Sequence, residues 1–154
     1  MILLDYFNKK PSNEGFVYWA GNIKGFKYNI NALVAPKTDS DTRRVTIPPI
    51  ENFYYTKALA SNNLVHIGQV HSHPENWVGH SEGDNLWAAF KNEGLISIVV
   101  PNYGKDGMLP FRNCGFHRFH EQEFYRLSNK YIKGNFKIVD EEPIIIDLRN
   151  RKDE

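Results

Sequence analysis

Strand-like and helix-like segments alternate along this chain, and this alternation constrains the fold more than any other feature. The apolar run "NLVHIGQVHSHP" (63–74) is typical of a strand, and a proline ends it. Segments with helical periodicity flank it on both sides, "PIENFYYTKALASNN" (49–63) and "SEGDNLWAAFKNEG" (81–94). Helices inserted between strands predict an α/β (α+β) fold in which helices sandwich a curved mixed β-sheet.

The rest of the chain continues this pattern. Strands are predicted for "EGFVYWAG" (14–21, or a helix-to-strand junction), "FKYNINALVA" (26–35), "RRVTIPP" (43–49), "LISIVVPN" (95–102), "PFRNCGFHRF" (110–119) and "EPIIIDLR" (142–149), a loop for "PKTDSDT" (36–42), and a helix for "EQEFYRLSNKYI" (121–132). A length of 154 residues fits a single domain, 1–154. Residues 140–154 either add a strand to the sheet or pair with a partner by strand addition.

Composition excludes several classes of function. A formal net charge of +1 gives no general attraction to nucleic acid or to an anionic membrane, so we expect neither as a partner. Cys114 is the single cysteine, so a disulfide within the chain and a cysteine-rich zinc site are both excluded. The start "MILLDYFNKK" does not resemble a signal peptide, and nowhere do about 18 apolar residues run together. We therefore expect a cytoplasmic protein.

Two histidines at the end of the central predicted strand are placed to hold a metal ion. His71 and His73 are two residues apart, so their side chains lie on one face of a strand. Ser81 is well placed as the N-cap of the next helix, and Asp84 in its first turn could supply a third ligand. This set, with one open position, is expected for a catalytic zinc ion, whose chemistry is hydrolysis. His80 is an alternative third ligand.

The same residues resemble the signature of the JAMM metalloproteases, also called JAB or MPN-plus domains. The matching positions are Glu14 seven residues before Gly21, His71 and His73 followed by Pro74, and Ser81 followed three residues later by Asp84. The resemblance covers about residues 10–125. It implies a single JAB/MPN domain with a cytidine-deaminase-like layout.

The resemblance also implies a role for each residue. His71, His73 and Asp84 would bind one zinc ion per chain, Glu14 would be the general base, and Ser81 would donate a hydrogen bond to the oxyanion. Such a protein would be an isopeptidase or peptidase that cleaves after the C-terminus of ubiquitin or a ubiquitin-like protein. E1-like and E2-like proteins from one bacterial operon, including an antiphage operon, would be further partners.

Three alternatives stay open beside this hypothesis. The first is a zinc metallopeptidase that acts on a substrate other than a ubiquitin-like protein. The second and third are a non-catalytic MPN-type scaffold and a binding module that holds a ubiquitin-like partner without cutting it. Trp77 and Val78, in the loop after the histidine pair, either cover the substrate or pack the loop down. The remaining histidines, His66, His117 and His120, are expected in the core or on the surface, and Cys114 is expected to be inert.

Overall fold

The computed structural model of the protein describes residues 13–86 and 88–152. The strands are β1 (Phe16–Lys24), β2 (Lys27–Ala35), β3 (Asp39–Ser40), β4 (Val45–Thr46), β5 (Val65–Ser72), β6 (Ile96–Val100), β7 (Gly115–His120), β8 (Glu123–Arg126) and β9 (Ile144–Asp147). The helices are α1 (Pro49–Ser61), α2 (Glu82–Leu86) and α3 (Asn129–Asn135), with short 3-10 turns at Asn102–Gly104 and Phe111–Asn113. The segment "MILLDYFNKK", Trp87 of the helix predicted at 81–94, and residues 153–154 of the tail lie outside the described residues.

A seven-stranded mixed sheet organises the described part of the chain. Its strand order is β8-β7-β6-β5-β1-β2-β9, with β5–β6 and β2–β9 parallel and the other neighbours antiparallel. This confirms the predicted mixed α/β architecture. The parallel connection from β5 to β6 passes through residues 73–95, so α2 and the loop before it lie in that crossover. Within the described ranges, no helix combines the length and apolar character that crossing a lipid bilayer requires.

Each face of the sheet carries its own hydrophobic core, because alternate residues of a strand point to opposite faces. On one face, Tyr18 of β1 packs with Tyr55 and Leu59 of α1. On the other face, Val17 of β1 packs with Ile132 of α3. The sheet is therefore covered by a helix on each side, as the sequence predicts.

The helix predicted at 121–132 is wrong over its first eight residues, 121–128. Glu121 and Gln122 have positive φ angles of 48° and 72° and form a two-residue turn after β7. The next four residues then pair antiparallel with β7 as strand β8. The helix starts only at Asn129, where Ser128 Oγ accepts the amide of Tyr131 at 3.1 Å as an N-cap.

Two other predicted segments are shorter than expected. Among the described residues of the helix predicted at 81–94, only Glu82–Leu86 are helical, and Phe90 further along packs against the core face of α1. The Phe90 ring lies 5.7 Å from the Tyr18 ring and 4.6 Å from the His66 ring. Of the strand predicted at 43–49, only Val45–Thr46 is extended, and it pairs with Asp39–Ser40 inside the predicted loop. These two strands make a small hairpin that we call the β3–β4 hairpin.

The tail adds a strand to the sheet, which is one of the two outcomes expected for it. Strand β9 pairs parallel with β2, with Ile146 opposite Val34. Beyond β9, the Arg151 guanidinium reaches α1, where its Nη1 and Nη2 lie 2.7 and 2.5 Å from the two carboxylate oxygens of Glu51. The guanidinium also lies 3.7 Å from the centre of the Tyr54 ring. A bidentate ion pair at a buried carboxylate therefore fixes this segment against the first helix.

Candidate metal centre

The two predicted histidine ligands emerge side by side where β5 ends. His71 lies opposite Phe16 in the β1–β5 ladder, and the amide of His73 donates to the Val100 carbonyl at 2.9 Å, which continues the pairing with β6. Both side chains are buried, and their Nε2 atoms lie 3.3 Å apart. The extended backbone at the end of a central strand therefore brings two imidazoles to one point.

The third residue, Asp84, is held by the start of α2. The Asp84 amide donates to Ser81 Oγ at 3.1 Å, and the Ser81 amide donates to Asp84 Oδ2 at 2.6 Å. These reciprocal bonds form a capping box, with Asp84 in the position usually taken by glutamate or glutamine. The predicted N-cap is thus confirmed, and it fixes the backbone that carries the carboxylate.

The three side chains converge with a geometry that fits a metal ion. Asp84 Oδ1 lies 3.2 Å from His71 Nε2, and Asp84 Oδ2 lies 3.3 Å from His73 Nε2. The three ligand atoms lie within 4.8 Å of one another, and within the described residues this is the one group of histidine, cysteine and acidic side chains that could hold a metal ion. Two imidazoles and a carboxylate suit zinc, which accepts nitrogen and oxygen ligands in tetrahedral sites.

Charge within the group favours an ionised carboxylate. Burial raises the pKa of Asp84, but hydrogen bonds from His71 and His73 outweigh it and hold this pKa well below its usual range. For His73, burial lowers the pKa, and the hydrogen bond and charge of Asp84 more than reverse that effect, so the net shift is upward. A cation is therefore electrostatically favoured between these side chains, whether it is a proton or a metal ion.

Two contacts with Trp77 fix the orientation of the His73 ring, so that Nε2 faces the Asp84 carboxylate. His73 Nδ1 lies 3.0 Å from the Trp77 carbonyl oxygen, an acceptor, so Nδ1 carries a proton. In the protonated ring Nε2–H donates to Asp84, and loss of that proton leaves the Nε2 lone pair for a metal ion. The Trp77 indole also stacks on the imidazole, with ring centres 5.2 Å apart and planes 11° apart. Trp77 therefore packs against a site residue while 55% of its own surface stays exposed.

Glu14 lies just before β1 and lines the same cleft as His71 and His73. Its backbone amide donates to the Asp41 carbonyl at 2.9 Å, and the neighbouring Gly15 amide donates to Ser72 Oγ at 2.9 Å. Burial raises the pKa of the Glu14 carboxyl to about 7, against a smaller opposite effect of the nearby His73. A carboxyl group that titrates near neutral pH is suited to both accept and release a proton.

His80 lies beside His71, His73 and Asp84, the three side chains that we call the metal group, and links two elements that surround them. Its Nδ1 lies 3.0 Å from Asn85 Oδ1 on α2, and its Nε2 lies 2.8 Å from Ser97 Oγ on β6. Both ring nitrogens are engaged, so the alternative in which His80 replaces Asp84 as a ligand does not fit. Burial lowers the pKa of His80 to about 4, which keeps the ring neutral. Sequence reasoning missed Asn85 and Ser97, because no motif links them to the histidine.

The loop that carries His80 rests directly on β7. A methyl group at Gly115 would overlap the Val78 carbonyl oxygen, so this contact requires glycine. The same oxygen accepts a hydrogen bond from Arg126 Nη1 at 3.3 Å. The Val78 backbone therefore fixes the loop against β7.

The other histidines and the cysteine lie apart from the metal group. His66 is packed among aromatic rings, and its Nδ1 lies 2.6 Å from the Tyr55 hydroxyl. His117 is buried, and its ring centre lies 4.2 Å from that of His80 with the planes tilted by 36°. His120 is exposed and pairs with Glu93 at 3.0 Å. Cys114 is fully buried, and burial raises the pKa of its thiol to about 11, as expected for an inert cysteine.

Three comparisons place the chain among known proteins. No protein-family model matches the sequence. The chain is similar to "Probable metalloprotease y4jG" of Sinorhizobium fredii (strain NBRC 101917 / NGR234), with 29% identity over 101 residues that cover 63% of this chain and 62% of that protein. The chain thus spans less than two thirds of the length of this curated relative.

The fold is similar to the solution structure of protein DSY2949 from Desulfitobacterium hafniense. The TM-score is 0.59, and the match covers 95% of this chain and 85% of that one at 16% sequence identity. At this identity, the likeness concerns the fold alone.

Proposed function

We propose that the protein is a zinc-dependent metallopeptidase. The observation that carries this proposal is the convergence of His71, His73 and Asp84 on one point at the wall of a cleft. The distant similarity to a protein named a probable metalloprotease supports the same reaction class.

The side chains around this point supply the parts that amide hydrolysis needs. A zinc ion bound there would supply a Lewis acid that polarises a carbonyl and lowers the pKa of water to about 7. Glu14 accepts a proton from the attacking water and delivers it to the leaving amine, a role that suits a carboxyl with a pKa of about 7. Ser81 lines the cleft, and its hydroxyl donates to the oxyanion that develops on the substrate.

Cleavage after the C-terminus of ubiquitin or a ubiquitin-like protein is a narrower form of this proposal. It is supported by the resemblance of the sequence to the JAMM signature. E1-like or E2-like partners belong to the same narrower proposal.

Metal content and turnover together test the proposed function. Protein purified without added metal is analysed by mass spectrometry, for wild type and for His71→Ala/His73→Ala. We expect about one zinc ion per chain in the wild type and none in the double variant. Glu14→Gln should keep the zinc and lose hydrolysis of a peptide library and of ubiquitin-like fusions. The absence of zinc from both proteins, with no uptake on titration, would contradict the proposal.

A further inference from the structure

The candidate metal centre opens into a cleft of about 760 Å³, and the β3–β4 hairpin forms another part of its lining. The hairpin contributes the lining residues Arg43, Arg44, Val45 and Thr46. Carboxylates of the cleft belong to the other walls, at Glu14, Glu75 and Asp84. The basic side chains of the lining therefore belong to the hairpin, and its three carboxylates belong to other elements.

The two arginines of the hairpin are exposed. Within residues 13–86 and 88–152, neither guanidinium makes a hydrogen bond or an ion pair. By contrast, Arg126 and Arg151 direct their guanidinium groups at acceptors within the fold. Arg43 and Arg44 thus present ten N–H donors and two positive charges to the contents of the cleft.

The hairpin that carries the arginines is fixed to the site. The Asp41 carbonyl accepts the Glu14 amide at 2.9 Å, and the Thr42 carbonyl accepts the Tyr103 hydroxyl at 2.8 Å. The Asp41 amide donates to the Arg44 carbonyl at 2.8 Å, which closes the turn. The backbone of Arg43 and Arg44 therefore has a defined position relative to Glu14.

We propose that Arg43 and Arg44 form a subsite for a carboxylate of the substrate, so that the protein selects peptide segments with an acidic side chain near the scissile bond. This inference rests on the proposed metallopeptidase function and names its substrate class. Guanidinium groups bind carboxylates through paired N–H donors, and in a partly enclosed cleft the pair is screened less than on an open surface. A substrate carboxylate placed beside Glu75 would meet a like charge, so the hairpin side of the cleft is the more favourable place for it.

Matched peptides test the subsite by binding and by turnover. Peptides that differ only by glutamate, glutamine or lysine at one scanned position are bound to Glu14→Gln protein in fluorescence anisotropy. The kcat/KM values of the same peptides are measured with protein that keeps Glu14. At the best position we expect binding affinity and kcat/KM to be about tenfold higher for the glutamate peptide than for the glutamine peptide. This ratio should fall as salt is added. In Arg43→Gln/Arg44→Gln, the ratio should fall to near one. Arg112→Gln, exposed and outside the cleft, should keep the wild-type ratio.

The outcomes separate this inference from the proposed function. Cleavage of glutamate and glutamine peptides at equal rates at every position would overturn the subsite and leave the metallopeptidase standing. Selectivity that survives in Arg43→Gln/Arg44→Gln would overturn it equally. A protein that binds zinc and glutamate peptides selectively, yet cleaves none, would overturn the proposed function and retain the carboxylate subsite.

Discussion

Ser81 and Asp84 cap each other across the first turn of α2, with the Ser81 amide 2.6 Å from Asp84 Oδ2 and the Asp84 amide 3.1 Å from Ser81 Oγ. A candidate metal ligand is therefore held in place by a residue that is itself a candidate oxyanion donor. Loss of either side chain affects both the helix start and the site.

Replacement of Ser81 by alanine removes both the helix cap and the candidate oxyanion donor. We expect the free energy of unfolding to fall by about 1 kcal/mol through loss of the cap, and kcat to fall by about a hundredfold or more through loss of the donor. Ser128→Ala removes the N-cap of α3 and is the matched control, because it should lower stability similarly with no change in kcat. Equal losses of activity in both variants would show that Ser81 acts only through helix stability.

Removal of His80 should loosen the metal group without removing a ligand. His80→Ala deletes the link from Asn85 on α2 to Ser97 on β6, so we expect zinc affinity to fall by about 10–100-fold, as for other outer partners of metal sites. Asn85→Ala should weaken affinity in the same direction, and the double variant should lose less than the two single losses combined. Competition with a chromophoric chelator measures the affinities. Unchanged affinity in His80→Ala would contradict the anchoring role.

The protein should lose stability in weak acid, partly because of His66. Burial lowers the pKa of His66 to about 4 in the folded state, whereas the unfolded value is about 6.5. The unfolded chain therefore binds the proton first, so the contribution of His66 to stability is complete above pH 6.5 and falls as pH drops from 6.5 toward 4.

Urea unfolding at pH 7.5 and pH 5 measures this effect. A single site of this kind accounts for about 2 kcal/mol over that interval, and His66→Gln should reduce the pH dependence by that amount. An identical pH dependence in wild type and His66→Gln would refute the assignment.

Removal of one partner of the Glu51–Arg151 ion pair should lower the free energy of unfolding strongly. Glu51 is 1% exposed, so Arg151→Ala leaves a buried carboxylate without its guanidinium and should cost about 3 kcal/mol or more. The double variant Glu51→Ala/Arg151→Ala should be less destabilised than the sum of the single variants, and Lys57→Ala on the exposed face of α1 should be close to neutral. Chemical denaturation of the four variants checks the cycle, and strict additivity would show that the pair does not couple.

Local spacing is enough to predict that His71, His73 and Asp84 lie close together. The period of two along a strand places His71 and His73 together, and the cap signal at Ser81 fixes Asp84, so neither prediction needs knowledge of distant contacts. Strand β8 was predicted as a helix because its periodicity is ambiguous, and only pairing with β7 decides the outcome. The hydrogen bonds of His80 to Asn85 and Ser97 join a loop to α2 and β6 through tertiary packing. No sequence pattern around Ser97 predicts them.

The pairing of Glu51 with Arg151 joins residues 100 positions apart, and this has a consequence for synthesis on the ribosome. At about 5–20 residues per second, on the order of 5–20 s pass between translation of Glu51 and of its partner. During that interval the edge of β2 lacks β9, and an uncovered strand edge is a template for pairing with other chains. The nascent protein is therefore most exposed to misassembly just before residues 144–151 emerge, at a stage when its candidate metal ligands have already been translated.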